Sequence, residues 1–180
     1  MASAGAATIR HTAAKPLTLL AETSKDNPFY NITPPKQLGG IFFMMKIKQS
    51  VYNEIMQGIG TLPPEAGGML GIKEGVICAF FEDRHSRHRT AYLPDIATLN
   101  RQIAAWAANG IDFIGIVHSH PGDAPFLSGA DMQYAERIFA ANPQMNCIVF
   151  PIVTNVGSKA QLTNYVFDGR WQECPFTVVL

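Results

Sequence analysis

The chain has 180 residues, and its 14 lysines and arginines balance 14 aspartates and glutamates, so its formal net charge is zero. Nucleic-acid-binding proteins usually carry a basic excess, because neutralising phosphates supplies much of their affinity, and this balance therefore argues against a general nucleic-acid-binding function. Hydrophobic residues make up 47% of the chain and charged residues 16%, a composition typical of a globular protein of about one domain.

The apolar pattern shows neither a membrane-spanning segment nor a signal peptide. No apolar run approaches the roughly 18 residues that a spanning helix needs, and basic side chains within residues 10–15 interrupt the N-terminal stretch. The three cysteines, Cys78, Cys147 and Cys174, form no CxxC pair, and their odd number favours free, buried thiols in a reducing compartment. We therefore expect a cytoplasmic protein whose partners are neither membranes nor nucleic acids.

Residues 1–40 and residues 41–180 differ in their sequence pattern. The first segment is rich in alanine, threonine and serine, then in proline and glycine, and no helical or strand period persists in it. We predict an N-terminal extension that forms a mobile or extended arm over residues 1–40, followed by one compact domain over residues 41–180. The sequence carries no indication of an oligomeric state.

Apolar periodicity predicts seven strands and three helices after residue 40. The strands are predicted at residues 41–47, 66–71, 76–81, 113–117, 148–154, 161–167 and 176–180. Helices are predicted around the stripe Val51, Ile55 and Ile59, after the N-cap candidate Asp95, and over residues 128–141. The core-facing residues expected in the second and third helices are Ile96, Leu99, Ile103, Trp106, Met132, Ala135 and Phe139. Strands mixed with three helices favour an α/β or α+β fold around one sheet.

Two short motifs suggest a metal site. His118 and His120 end a predicted buried strand and, because side chains two apart on a strand share a face, both can point into one space, as two imidazole ligands of one metal require. Ser128 and Asp131 resemble a capping box, which places a carboxylate in the first turn of a helix, able to turn back toward the strand end. Two imidazoles and one carboxylate leave a fourth position for water, the layout of a catalytic zinc site.

Each motif also has a simpler interpretation. A histidine pair at a strand end can be structural or merely exposed, and Ser128 with Asp131 can be only a helix cap; the combination at this spacing is much harder to explain by chance. A hydrolytic zinc site also needs a base. Glu65, which opens a glycine-containing predicted strand, is the candidate, and an ordinary solvated acid at a loop end is the alternative.

These positions resemble the JAMM motif of the JAB/MPN superfamily, a glutamate followed by H-x-H-x7-S-x-x-D. The match is complete at Glu65, His118, His120, Ser128 and Asp131. The resemblance covers roughly residues 41–180, which would form the catalytic domain, and implies a zinc-dependent hydrolase of amide or isopeptide bonds, commonly at the C-terminal tail of ubiquitin or a ubiquitin-like protein. It also implies a cytidine-deaminase-like α/β (α+β) fold, with a curved, mixed but mostly antiparallel sheet flanked by helices.

The resemblance also implies a role for each motif residue. His118, His120 and Asp131 would bind one Zn²⁺ per chain, Glu65 would be the general base and later the acid that protonates the leaving amine, and Ser128 would hydrogen-bond the attacking water or the developing oxyanion. The little sequence left after Asp131 favours a minimal, prokaryotic-type member. The expected substrate is then a ubiquitin-like or sulfur-carrier protein conjugate, or a peptide.

Two other functions stay open at this point. Members of the superfamily without the motif are scaffolds, so a non-catalytic MPN-type protein-interaction module is one alternative, although the intact motif counts against it. A zinc hydrolase of small amides is the other. Cleavage of Gly-Gly-linked reporters, compared with a panel of small amides, would distinguish these possibilities.

Overall fold

A computed structural model of the chain describes residues 45–59, 65–84, 92–156 and 159–180. The predicted N-terminal arm, residues 1–40, and the first residues of the first predicted strand, 41–44, lie outside these ranges.

The described part of the chain contains ten strands and three helices. The strands are β1 (Met45–Lys48), β2 (Gly67–Lys73), β3 (Val76–Glu82), β4 (Asp112–Ser119), β5 (Ile148–Val149), β6 (Ile152–Val156), β7 (Lys159–Thr163), β8 (Tyr165–Phe167), β9 (Trp171–Glu173) and β10 (Phe176–Val179). The helices are α1 (Gln49–Gly58), α2 (Ile96–Ala107) and α3 (Gly129–Ala141). None of these three helices is long and apolar enough to cross a membrane.

The described strands form one mixed sheet in the order β10-β1-β3-β2-β4-β5-β8-β9, with β6 paired to β4 and β7. In its centre, β2 is antiparallel to both β3 and β4. Parallel pairs join β1 to β3 and β10, and β4 to β5 and β6. The mixed sheet with helices confirms the predicted α+β class. It also places the C-terminal end of β4 between β2 and β6, in the interior of the sheet.

The first two helices bury the predicted faces except at Ile96, which is half-buried. Val51 and Ile55 of α1 are buried, as are Leu99, Ile103 and Trp106 of α2. In α3 the prediction was wrong in part, because Ala135 and Ile138 are buried while Met132 and Phe139 are half-buried. The ring of Phe139 instead packs edge-on against Phe167 of β8, with 5.4 Å between the centroids. The buried face of α3 is therefore turned toward Ile138.

Two predicted strands are interrupted. The strand predicted at 148–154 divides into β5 and β6 at Phe150 and Pro151, because proline has no N–H to donate to a ladder. The strand predicted at 161–167 divides at Asn164, whose side chain donates to the Cys174 carbonyl. The short strand β9 was not predicted, since three residues carry too little alternation to be recognised. The three cysteines are free, as expected, but half-buried.

Asp95 caps α2, and its removal should destabilise the fold. Its carboxylate accepts hydrogen bonds from the Thr98 amide at 3.1 Å and the Thr98 hydroxyl at 2.7 Å. We expect Asp95→Ala to lower the free energy of unfolding by about 1–2 kcal/mol, the usual cost of losing such a cap. Urea denaturation would measure this, with Asp123→Ala, an exposed turn aspartate, as the control. Equal midpoints for the two variants would contradict the capping role.

Candidate metal centre and active-site cleft

The end of β4 and the start of α3 bring three metal-ligating side chains together. The Nε2 atoms of His118 and His120 lie 2.8 Å apart. Each also lies 3.4 Å from one carboxylate oxygen of Asp131. The possible ligand atoms of the three residues all fall within 4.8 Å of one another. The structure thus unites the three residues that the sequence marked as zinc ligands.

The chemistry of this donor set fits a divalent cation such as zinc. Ligands about 2.0–2.1 Å from a tetrahedral zinc are about 3.3 Å apart, which is close to the two histidine–aspartate separations. The Nδ1 atom of His120 lies 3.1 Å from the Ala124 carbonyl and donates to it, which turns the Nε2 lone pair toward the site. When both imidazoles are neutral, lone pairs facing one another and the carboxylate would repel, so a cation between them, a proton or a metal ion, would stabilise the arrangement.

His118 is held by packing. The residue is buried, and within the described ranges its Nδ1 atom has no hydrogen-bond partner. Its ring lies edge-on to Phe150, with 5.3 Å between the centroids, and is stacked with Tyr92 at 6.3 Å. These rings fix the orientation of the imidazole.

Asp131 is both a helix-capping residue and a member of the site. The Ser128 amide donates to Asp131 Oδ2 at 2.8 Å, and the Asp131 amide donates to Ser128 Oγ at 3.1 Å, which confirms the predicted capping box. Burial raises the pKa of Asp131, but hydrogen bonds from His118 and His120, the charge of His118, and the bond from Ser128 outweigh it and hold the pKa well below its usual range. The carboxyl group is therefore an anion over the working pH range.

The pKa of His120 shifts in the direction expected beside that anion. Burial lowers it, but the hydrogen bonds to Asp131 and to the Ala124 carbonyl, together with the charges of Asp131 and Glu65, raise it above its ordinary value overall. The negative field in the site therefore favours positive charge at this position, whether the charge is a proton or a metal ion.

All five residues that the sequence singled out line one open cleft of about 520 Å³. Glu65 lies two residues before β2 and is half-buried. It is far from the two histidines in the sequence, yet it lines the same cleft. Ser128 is exposed at its rim. The cleft thus contains candidate metal ligands, a carboxylate that could act as a base, and a hydroxyl donor.

Three further cleft residues were not predicted from the sequence. Tyr92, Tyr134 and Arg137 line the same cleft. Tyr134 lies three residues after Asp131 in α3 and Arg137 three residues after Tyr134. Extending the helical face of the candidate ligand by one turn would have found Tyr134. Tyr92 sits in a loop and carries no such pattern.

Tyr92 packs closely over the sheet next to the candidate ligands. A side chain at Gly67 would meet the Tyr92 ring at 2.7 Å, so the glycine allows this approach. The Tyr92 hydroxyl lies 3.3 Å from the carboxylate of the buried Asp83. Burial and then the charge of Asp83 raise the pKa of Tyr92, and burial also raises the pKa of Tyr134, so both rings are neutral phenols.

Fold and site together define an α+β domain with an open His-His-Asp candidate metal centre. A family model described as prokaryotic homologs of the JAB domain matches residues 49–165, and the chain belongs to this family. The resemblance noted in the sequence is thereby confirmed at the level of the JAB/MPN superfamily. A search of curated proteins found no match.

The fold is similar to solved structures at low sequence identity. The solution structure of a protein from Desulfitobacterium hafniense shares a TM-score of 0.60 and 16% identity, and covers 76% of this chain and 93% of that chain. Two others reach a TM-score of 0.46 over 76% of this chain. One is a JAB1/MPN domain protein from Archaeoglobus fulgidus, at 16% identity over 98% of that chain, and the other is described as JAMM, a metalloprotease-like zinc site in the proteasome and signalosome, at 17% identity over 99% of that chain.

Proposed function

We propose that this chain is a zinc-dependent metalloprotease or isopeptidase that hydrolyses an amide or isopeptide bond. The observation that carries the proposal is the convergence of His118, His120 and Asp131 at a cleft that Glu65 and Ser128 also line. A zinc ion held by the two histidines and the aspartate would polarise a carbonyl group and make a water molecule more acidic.

Glu65 is assigned as the general base and acid. Its carboxylate lines the cleft and acts electrostatically on His120, which indicates that it lies near the candidate ligands. There it accepts a proton from the attacking water and later donates one to the leaving amine, so that the amine departs as a neutral group.

Ser128 is assigned to the developing oxyanion. Its Oγ atom already accepts a hydrogen bond from the Asp131 amide, which fixes the hydroxyl at the start of α3. The hydroxyl proton remains to donate toward the cleft. A donor fixed before the reaction stabilises the charge that develops on the carbonyl oxygen without reorganisation.

Removal of this donor is expected to lower turnover. Ser128→Ala should reduce kcat about 100-fold, the lower end of the effect of losing one oxyanion donor, with zinc content unchanged. The variant also loses a helix cap, at about 1 kcal/mol of stability. Asp95→Ala removes a comparable cap at the start of α2. Asp95 itself does not line the cleft, so this variant controls for the stability effect. A kcat for Ser128→Ala equal to that of Asp95→Ala would contradict the assignment.

We also propose a substrate class. The substrate is a conjugate of a ubiquitin-like or sulfur-carrier protein, cleaved at the tail of that protein, or it is a peptide. The cleft is open, as an extended chain requires. Leu93, which lines it, is 60% exposed, and Phe126, in the loop between the histidines and Ser128, is 72% exposed. Large apolar side chains left exposed beside a cleft fit contact with a protein partner.

A cleavage assay tests this proposal. The full chain is loaded with zinc and incubated with Gly-Gly-linked protein reporters and with a panel of small amides. We expect about one zinc per chain and cleavage of a protein reporter. Cleavage of small amides alone would favour the hydrolase alternative, and reporter binding without turnover would favour the interaction module. Full activity in zinc-free protein would overturn the mechanism.

A further inference from the structure

Ser119 lies between the two histidines, and its hydroxyl has no part in the chemistry proposed above. The residue is 1% exposed and faces Ala66, the neighbour of Glu65. The Ser119 amide donates to the Ala66 carbonyl at 2.8 Å. The Ala66 amide in turn donates to Ser119 Oγ at 3.1 Å, and the hydroxyl lies 3.4 Å from the Ala66 carbonyl oxygen. Ser119 and Ala66 are therefore bonded in both directions.

The side chain of Ser119 takes the place of a backbone acceptor at the end of a strand pair. The pairing of β2 with β4 ends at Gly67 and His118, and Ala66 and Ser119 are the next residues in the same register. In a hydrogen-bonded antiparallel pair, each residue donates its N–H to the carbonyl of the other. Here the bond from Ala66 goes to the serine hydroxyl. The amides on either side of Ser119 point the other way: the His118 amide donates to the Pro151 carbonyl at 3.2 Å and the His120 amide to the Val153 carbonyl at 3.0 Å.

This contact connects the two halves of the site. Ala66 is 3% exposed, so its N–H has little access to water and needs a protein acceptor. The contact joins residues 53 apart in sequence, immediately beside the candidate base on one side and between the candidate ligands on the other. Ala66 is the residue bonded directly to Glu65, so the position of the Ala66 amide constrains the backbone of Glu65.

We infer that Ser119 is a positioning residue, whose hydroxyl holds the Ala66 amide and thereby sets Glu65 in place relative to His118 and His120. Its catalytic consequence rests on the proposed function, in which Glu65 is the base. The position of the Glu65 segment does not depend on the proposed function, and it can be tested by a measurement that needs no enzymatic turnover.

Amide hydrogen exchange of the full chain, followed by NMR, tests the contact directly. We expect the Ala66 amide to exchange at least about tenfold faster in Ser119→Ala, and within about threefold of wild type in Ser119→Thr, which keeps the hydroxyl. With zinc loaded and a Gly-Gly-linked reporter as probe, kcat should fall about 10- to 100-fold in Ser119→Ala, with KM and zinc content unchanged. Ser119→Thr should restore most of it.

Thr154→Val is the matched control. Thr154 lies on the neighbouring strand β6, is fully buried, and its hydroxyl has no hydrogen-bond partner within the described ranges, so the variant removes a buried hydroxyl without touching Ala66. If Ser119→Ala does not fold, Ser119→Cys, with a weaker hydrogen-bonding atom of similar size, replaces it under the same expectations.

The outcomes separate this inference from the proposed function. Ala66 exchange in Ser119→Ala no faster than in Thr154→Val would overturn the positioning role, whatever the activity. Faster exchange with an unchanged kcat would overturn its catalytic consequence. A wild-type protein that cleaves no reporter would count against the proposed function, while the exchange rates would still decide whether Ser119 holds the Glu65 segment.

Discussion

Replacement of Glu65 with glutamine is expected to abolish hydrolysis while zinc stays bound. Glutamine keeps the size of the side chain and its place in the cleft, but it cannot accept a proton from the attacking water or return one to the leaving amine. General acid–base groups contribute roughly 10² to 10⁴ in rate, and since Glu65 is assigned both transfers, we expect a loss of kcat of roughly 10³ to 10⁴. Reporter cleavage and zinc analysis of the same sample measure the two properties together.

Glu54→Gln is the matched control for this prediction. It makes the same change of carboxylate to amide at an exposed position of α1 and should leave kcat and zinc content at wild-type values. The role of Glu65 is rejected by a glutamine variant that retains more than about one tenth of wild-type kcat at full zinc loading.

The second large effect is expected from Asp131→Asn. The neutral amide is a much poorer ligand for Zn²⁺ than the carboxylate, and the substitution removes the negative charge that faces both imidazoles. Its oxygen can still accept the hydrogen bond from the Ser128 amide, so the helix start should be retained. Changes in groups that only support a ligand cost about 10- to 100-fold in metal affinity, and for the ligand itself we expect more than about 100-fold.

Chelator competition measures this affinity, and reporter cleavage at limiting zinc should fall in proportion to loading. Asp123→Asn makes the same change at an exposed aspartate in the loop between the histidines and Ser128, and it should bind zinc as wild type does. Thermal unfolding of the metal-free proteins checks that Asp131→Asn remains folded. An affinity for zinc within about threefold of wild type in this variant would contradict the ligand assignment.

Local patterns predicted most of the secondary structure because local physics decides it. The apolar stripes of α1 and α2 fall on the buried faces, and Asp95 and Ser128 cap helices as their residue types favour. The patterns failed where neighbours in space decide. The turn of α3 toward Ile138 depends on which strands and rings lie alongside. The split of the strand at Pro151 is a local effect of proline, which the apolar pattern alone does not register. Strand β9 is too short for any pattern to show.

In the candidate site, too, some features follow from local sequence and others from contacts in space. By itself, the sequence determined the two local halves of the site, because residues two apart on a strand share a face and a serine three residues before an acid caps a helix. Their assembly was decided only by the tertiary structure. The pairing of β2 with β4 brings Glu65 to the histidines across a gap of 53 residues, and packing over Gly67 and along α3 adds Tyr92 and Tyr134 to the cleft. Contacts between residues so far apart depend on which elements pair and pack, and no short-range periodicity encodes that choice.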